Sequence, residues 1–422
     1  MNCAACGFED TLMSTVPARD GWGVTRIGQL LPQSHQLFAG PAACGRHGAL
    51  SACLQGRRSR VTYLMLTEEE LVSGRYEQAI LDGAERTLAR LTSQGRRPRV
   101  MVLFLTCVDD LLATDHGALT AELASRHPGV RFIDAHMNPL TTDSRVPPKA
   151  GVRARLYSTL DPADRHDGGV NLLGSLVRIR DESRELLRSL GAAPLRQMQD
   201  FDRFDDFQAM AQSRLNLVTS PQALEAARQM ERRLGIPFLR SWVSYRPEAI
   251  EADCRAIAAA LGAECPDLRS LRDEAEAALE GLCQLCPPPL VLDGDACLRP
   301  FDLARAFLER GIAVKRLFVQ KVPACDEESF QWLRQNHPET EILQPQHFRR
   351  ALDGAPRVPD GDCAALGLLS GYLTGSPCCV PLTQNMGHWG FDGVMALADL
   401  LRESLSRPLP ARHHIIREEM TL

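Results

Sequence analysis

The chain has 422 residues, 44% of them apolar and 24% charged, with a net charge of −5. That length exceeds one ordinary core and predicts two or three globular domains, and an acidic balance without a long basic tract argues against nucleic acid as a partner. No apolar run approaches the roughly 20 residues that cross a bilayer, and the opening MNCAACGFEDTL has neither the basic nor the apolar region of a signal peptide, so a cytoplasmic chain without a membrane partner is expected.

Fourteen cysteines are many for a compartment where disulfides are rare, and their placement matters more than their number. Cys3-Ala-Ala-Cys6 is a C-x-x-C pair, a spacing that zinc, iron–sulfur and redox sites share. Residues 36–52 read QLFAGPAACGRHGALSA. An apolar approach meets a Gly40-Pro41 turn, then Cys44, then a helix expected from His47. Small neighbours let backbone close on whatever the Cys44 thiol holds, and a helix start favours the thiolate that binds metal. The alternative is a cysteine buried in a turn for packing alone.

Beyond Cys44 the sequence alternates between short apolar runs and helical periodicity. Residues 61–66 predict a strand. Thr67 and Glu70 form a capping box for a helix over 68–91, with a break at Ser73-Gly74. Residues 100–106 (VMVLFLT) are apolar throughout, as a strand covered on both faces is. This strand ends at Cys107, and Asp109, Asp110 and Asp115 follow as candidate proton donors or ordinary helix-start acids. A helix to residue 125 and a strand over 130–133 come next. Residues 141–169 predict a loop, and 170–177 a strand. Helix 183–190, a loop over 200–212, strand 215–218, helix 221–234 and helix 247–261 complete a second unit. The triple proline at 287–289 opens a third, with strands near 290, 314, 342 and 364 and a closing helix over 391–404. The strand–helix–strand rhythm predicts an α/β fold of three Rossmann-like domains, each a mostly parallel sheet flanked by helices. The boundaries read as 1–165, 166–286 and 287–422. In such sheets ligands bind at the carboxyl ends of the strands, where Cys107 falls.

Other candidates have plainer explanations. Cys283 and Cys286 end an amphipathic helix, Cys378 and Cys379 are adjacent in an apolar segment, and His388 lies in a glycine-rich turn before the last helix. No Walker A loop, G-x-G-x-x-G, G-x-S-x-G or H-E-x-x-H motif is present, so no nucleotide site, nucleophile elbow or zinc helix is expected.

Taken in order, GPAACG around Cys44, TEEELVSGRYEQAI at 67–80, LTCVDDLLATDHGAL at 105–119, GGVNLLG at 168–174, ERRLGIPF at 231–238 and GFDG at 390–393 resemble the nitrogenase component 1 superfamily over nearly the whole chain. That resemblance implies that each subunit gives three cysteines to an iron–sulfur cluster at a subunit interface. By motif these fall on Cys6 (or Cys3), Cys44 and Cys107. It implies a cluster of the P-cluster-like [8Fe-7S] or [4Fe-4S] type, with room in the complex for a second nitrogenase-type cluster. The implied partners are a homologous component 1 subunit, in heterodimers that pair to a heterotetramer, an ATP-dependent iron–sulfur reductase, and a small-molecule substrate. Two departures stand out. Ala227 occupies the position where the catalytic nitrogenase subunit has a cofactor-holding Cys, and residues 378–382 contain no His where that subunit has one. The compact chain resembles most the nitrogenase-like reductases, with the methylthio-alkane reductases the best match among them. The activity implied is an oxidoreductase one, reductive C–S cleavage of methylthio-alkanes. The alternative is a scaffold on which a nitrogenase-type cofactor is assembled.

Overall fold

Apolar strands covered on both faces read as unbroken hydrophobic runs, and the runs of this sequence fold into three parallel sheets in the computed structural model, which describes residues 23–54, 56–137, 144–346 and 360–414. The first sheet has the order β2-β1-β3-β4, from β1 (Ser34–Gly40), β2 (Val61–Met65), β3 (Val100–Thr106) and β4 (Arg131–Met137). The second repeats that winding as β6-β5-β7-β8, from β5 (Val170–Leu173), β6 (Leu195–Gln197), β7 (Leu215–Val218) and β8 (Phe238–Arg240). The third runs β11-β10-β9-β12-β13, from β9 (Leu290–Asp293), β10 (Val314–Phe318), β11 (Glu341–Leu343), β12 (Ala364–Leu366) and β13 (Cys378–Val380). The α/β class with parallel sheets flanked by helices is therefore as expected.

The chain gathers into two compact units. One holds Asp20–Leu176 and Pro194–Arg240, hence the first two sheets, and the other holds Val177–Ala193 and Ser241–Met420, hence the third. In the first sheet the helix Tyr76–Ser93 turns Ile80, Ala84, Leu88 and Leu91 onto Leu37, Leu103 and Leu105 of the central strands. The residues recur at the helical spacing that puts them on one face. The break expected at Ser73-Gly74 separates this helix from Glu68–Val72, which Thr67 and Glu70 cap.

Some elements differ from expectation. Residues 148–157, within an expected loop, form the helix Pro148–Tyr157, started by proline at its first position and burying Val152, Leu156 and Tyr157. Residues 200–212 hold short helical turns that bury Phe204, Phe207 and Met210. The strand expected over 170–177 stops at Leu173, where Gly174 takes φ +131° against Ser220.

The winding of the first sheet positions the site. After β2 the chain crosses to the other side of β1 and lays down β3, so the connections leaving β1 and β3 diverge. A crevice opens at their carboxyl ends, the switch point of an open α/β sheet.

Candidate functional site

β1 and β3 are hydrogen-bonded neighbours with Phe38 beside Phe104, so Gly40 and Thr106 end the two strands side by side. A Cβ on Gly40 would lie 2.6 Å from Thr106 Cγ2, closer than real contacts allow, and glycine lets the strand ends approach. The helix Ala42–Leu54 follows β1, and Cys44 lies in its first turn. The helix thus begins earlier than the His47 start expected. Cys107 is the first residue of the helix Cys107–Leu111 after β3. Thr106 caps that helix: Val108 N–H donates to Thr106 Oγ1 at 3.3 Å, and Thr106 N–H donates to Asp109 Oδ2 at 2.8 Å. The Asp109 carboxylate serves the cap and fixes where Cys107 leaves the strand.

Both thiols lie at the crevice, each partly exposed, and near enough for Cys107 to bear on Cys44. Burial, and then the neighbouring Cys107, raise the Cys44 thiol above its ordinary pKa. This reverses the expectation that a helix start favours its thiolate, because burial, with the second sulfur adding to it, outweighs the dipole. Cys44 is therefore a thiol near neutral pH, and binding a soft cation draws off its proton. Two aromatic hydroxyls stand behind it. Tyr76 shares a hydrogen bond with the Asp109 carboxyl, and Tyr63 bonds to the Ala49 backbone. Burial, then Cys44 among its neighbours, pushes the Tyr63 phenol up to about 12. The Tyr63 ring lies across the Cys44 helix, with Cε1 1.5 Å from where a Gly45 Cβ would be. It stacks on Phe38, which stacks on Phe104.

Cys3 and Cys6 lie outside the described residues. Among the described residues, no three His, Cys, Asp or Glu side chains converge as a self-contained metal site. Two neighbouring thiols at a strand-end crevice suit an iron–sulfur group that draws its remaining ligands from elsewhere.

Among the remaining candidates, Cys378, Cys379 and His388 serve packing. Cys379 Sγ donates to Gly367 O at 3.4 Å and Cys378 Sγ to Ser404 O at 3.5 Å, and burial raises both thiols. Burial lowers His388 to about 4, and its Nδ1 lies 3.3 Å from Tyr245 Oη. These residues are neutral interior groups.

One cluster beside Cys107 gathers, around the candidate proton donor Asp110, side chains that the sequence did not single out. Asp134 and His136, two apart on β4, share a face, and His136 Nε2 lies 3.0 Å from Asp134 Oδ2. His136 Nδ1 is 3.5 Å from Asp110 Oδ1, and Arg155 reaches Asp134 at 3.2 Å. The Asp134 bond raises the His136 pKa, while burial and His136 lower that of His116, edge-on at 4.5 Å. Asp110, Asp134, His136 and Arg155 line a cavity of about 410 Å³. The Asp-x-His at a strand end was the available signal, but its meaning depends on the register that sets His136 beside Leu105.

A family model described as nitrogenase component 1 type oxidoreductase matches residues 20–343. The solved structure of nitrogenase Cp1 at pH 6.5 is similar with a TM-score of 0.71 and 14% identity, over 96% of each chain. Nitrogenase Cp1 at pH 5 is similar with a TM-score of 0.59 and 12% identity, over 93% of this chain and 90% of that one. No curated protein matches the chain in sequence. With three parallel sheets and two cysteines at the switch point of the first, the chain belongs to the nitrogenase component 1 type oxidoreductase family, as an oxidoreductase subunit.

Proposed function

We propose that this chain is one subunit of a nitrogenase-like reductase complex that shares an iron–sulfur cluster with a homologous subunit. The family binds iron–sulfur clusters and works with a homologous subunit and a reductase partner. The observation that carries the reading is the convergence of Cys44 and Cys107 at the ends of adjacent strands. Bound there, the cluster supplies one-electron transfer. The chain's own residues do the rest. Cys44 and Cys107 give thiolates, with Cys6 or Cys3 as the third. The Thr106–Asp109 cap holds Cys107 in place, and the aromatic stack keeps water from the inner side. Exposed apolar residues at the same carboxyl edge, Met65 at the end of β2, Val72 in the next helix and Leu111 and Leu112 after Cys107, support a subunit interface there. Electrons come in this reading from an ATP-dependent iron–sulfur reductase, and the substrate is a methylthio-alkane cleaved at carbon–sulfur. The assembly is a cytoplasmic heterotetramer of P-cluster-like or [4Fe-4S] type. The division into domains at 165 and 286 is part of the same proposal, one sheet to each.

Iron and acid-labile sulfide are to be measured on anaerobically purified wild type and Cys44→Ala. The expected result is iron and sulfide in the wild type and loss of most of both in the variant. Iron-free wild type from cells able to build clusters overturns the reading. Methanethiol release from a methylthio-alkane, in the presence of the reductase partner, tests the substrate.

A further inference from the structure

At the opposite, amino-terminal edge of the first sheet the sequence repeats itself. Gln55-Gly56-Arg57-Arg58-Ser59-Arg60-Val61 leads into β2, and Gln94-Gly95-Arg96-Arg97-Pro98-Arg99-Val100 leads into β3. Each follows a helix, and each glycine takes positive φ, +64° at Gly56 and +73° at Gly95. Because β2 and β3 flank β1, the two loops lie side by side with the start of β1 between them. Arg60 donates to Ser34 O at 3.2 Å, Arg99 N–H to Gln33 O at 2.9 Å, and Arg96 to Ser59 O at 2.6 Å. Six guanidiniums are thus gathered on one edge of a chain whose net charge is −5.

Arg99 pairs with Asp205 at 3.0 Å. Arg57, Arg58, Arg60, Arg96 and Arg97 pair with no carboxylate among the described residues. Arg57 and Arg60 donate instead to the backbone carbonyls of Gln29 and Leu31. Cations at helix ends are ordinary dipole partners, and two helices, Ala42–Leu54 and Tyr76–Ser93, end here. Their carboxyl ends supply about −0.5 each, far short of five guanidiniums. Burial, then Arg57 and Arg96, hold Arg60 down to about 10, and burial, then Arg96 and Arg60, hold His35 down to about 4. The positive charge therefore remains unneutralised. Arg58 and Arg97 project into solvent. Strands of seven residues at roughly 3.3 Å each put this edge about 23 Å from the cysteines.

We propose that the paired arginine loops form a docking surface for an acidic protein, distinct from the cysteine edge. Guanidiniums spread over neighbouring loops, rather than converging in a cavity, match carboxylates spread over a protein surface. The acidic balance of the whole chain opposes the long polyanion of a nucleic acid.

The test is fluorescence anisotropy of a labelled glutamate peptide of about 20 residues against full-length protein at low ionic strength, where surface charges are little screened. Wild type is expected to bind, with affinity falling steeply as salt rises. Arg58→Glu/Arg97→Glu, at two exposed unpaired positions, is expected to bind about tenfold more weakly or worse, with an unchanged thermal melt. Arg334→Glu, an exposed reversal on the third-sheet unit, is expected to have little effect. No binding by wild type, or an equal loss in Arg334→Glu, overturns the proposal. So does a single-stranded oligonucleotide that binds the same arginines more tightly than the peptide.

Discussion

At the scale of single residues the site depends on close approaches that only glycine permits. Gly45 lies under the Tyr63 ring, and an added methyl there must displace the ring from its stack on Phe38. Overpacking of this kind costs about 1–3 kcal/mol. Gly45→Ala is expected to lower the melting temperature and reduce iron retention although every cysteine is present, and Tyr63→Leu in the same chain is expected to recover part of the loss. An unchanged melt would mean that the ring moves freely and does not wall the site. The position of Cys44 was legible in the sequence because Gly-Pro before a cysteine encodes the turn locally. The state of its thiol was not legible, since it depends first on burial and then on Cys107, 63 residues away in the chain and brought near by strand pairing.

Between residues and fold lie the elements, and here the cap on the Cys107 helix is decisive. A five-residue helix cannot hold itself, so the Thr106 hydroxyl and the Asp109 carboxylate set its first turn. Thr106→Val keeps the shape and removes the hydroxyl acceptor, at a cost of about 1 kcal/mol. The expected outcome is a small loss of thermal stability with a larger loss of bound iron, because the geometry at Cys107 loosens more than the sheet does. Equal, small changes in both would assign the cap to stability alone. The strand before this helix was plain in the sequence, as a run of seven apolar residues must be when both faces are covered. The helix Pro148–Tyr157 was hidden because its buried face includes Lys149 and Arg153, charged residues that mask an apolar stripe. The repeat order of the second sheet was equally hidden, since β6 is three residues long and strand order is a property of pairing, not of any one segment.

At the scale of the whole molecule, buried carboxyls of the third-sheet unit couple stability to pH. In the third-sheet unit, Trp389 Nε1 donates to Ser241 Oγ at 3.2 Å, and the Ser241 hydroxyl donates to Asp253 Oδ2 at 3.1 Å. Burial lifts Asp253 from the ordinary 3.8 to about 6, with the Ser241 bond and Arg299 opposing. Burial lifts Asp293 in the same direction, to about 7, with Asp295 adding to it. Between its unfolded and folded pKa values such a group binds more protons in the native state than in the open chain. Its contribution is complete below the unfolded value and is lost as pH rises through the folded one. For Asp253 the difference amounts to roughly 3 kcal/mol, reduced by whatever water reaches the half-buried carboxyl. Asp253→Asn stays neutral at every pH and still accepts the Ser241 hydrogen bond. Thermal melts of the two proteins are expected to coincide below about pH 4, to separate between pH 4 and pH 6 and to stay apart above it, with the variant the more stable. If the wild type were the more stable at high pH, the Asp253 charge would be compensated by Arg299 and the burial argument would fail. The iron content of the variant is expected to be unchanged, because Cys44 and Cys107 belong to the other compact unit.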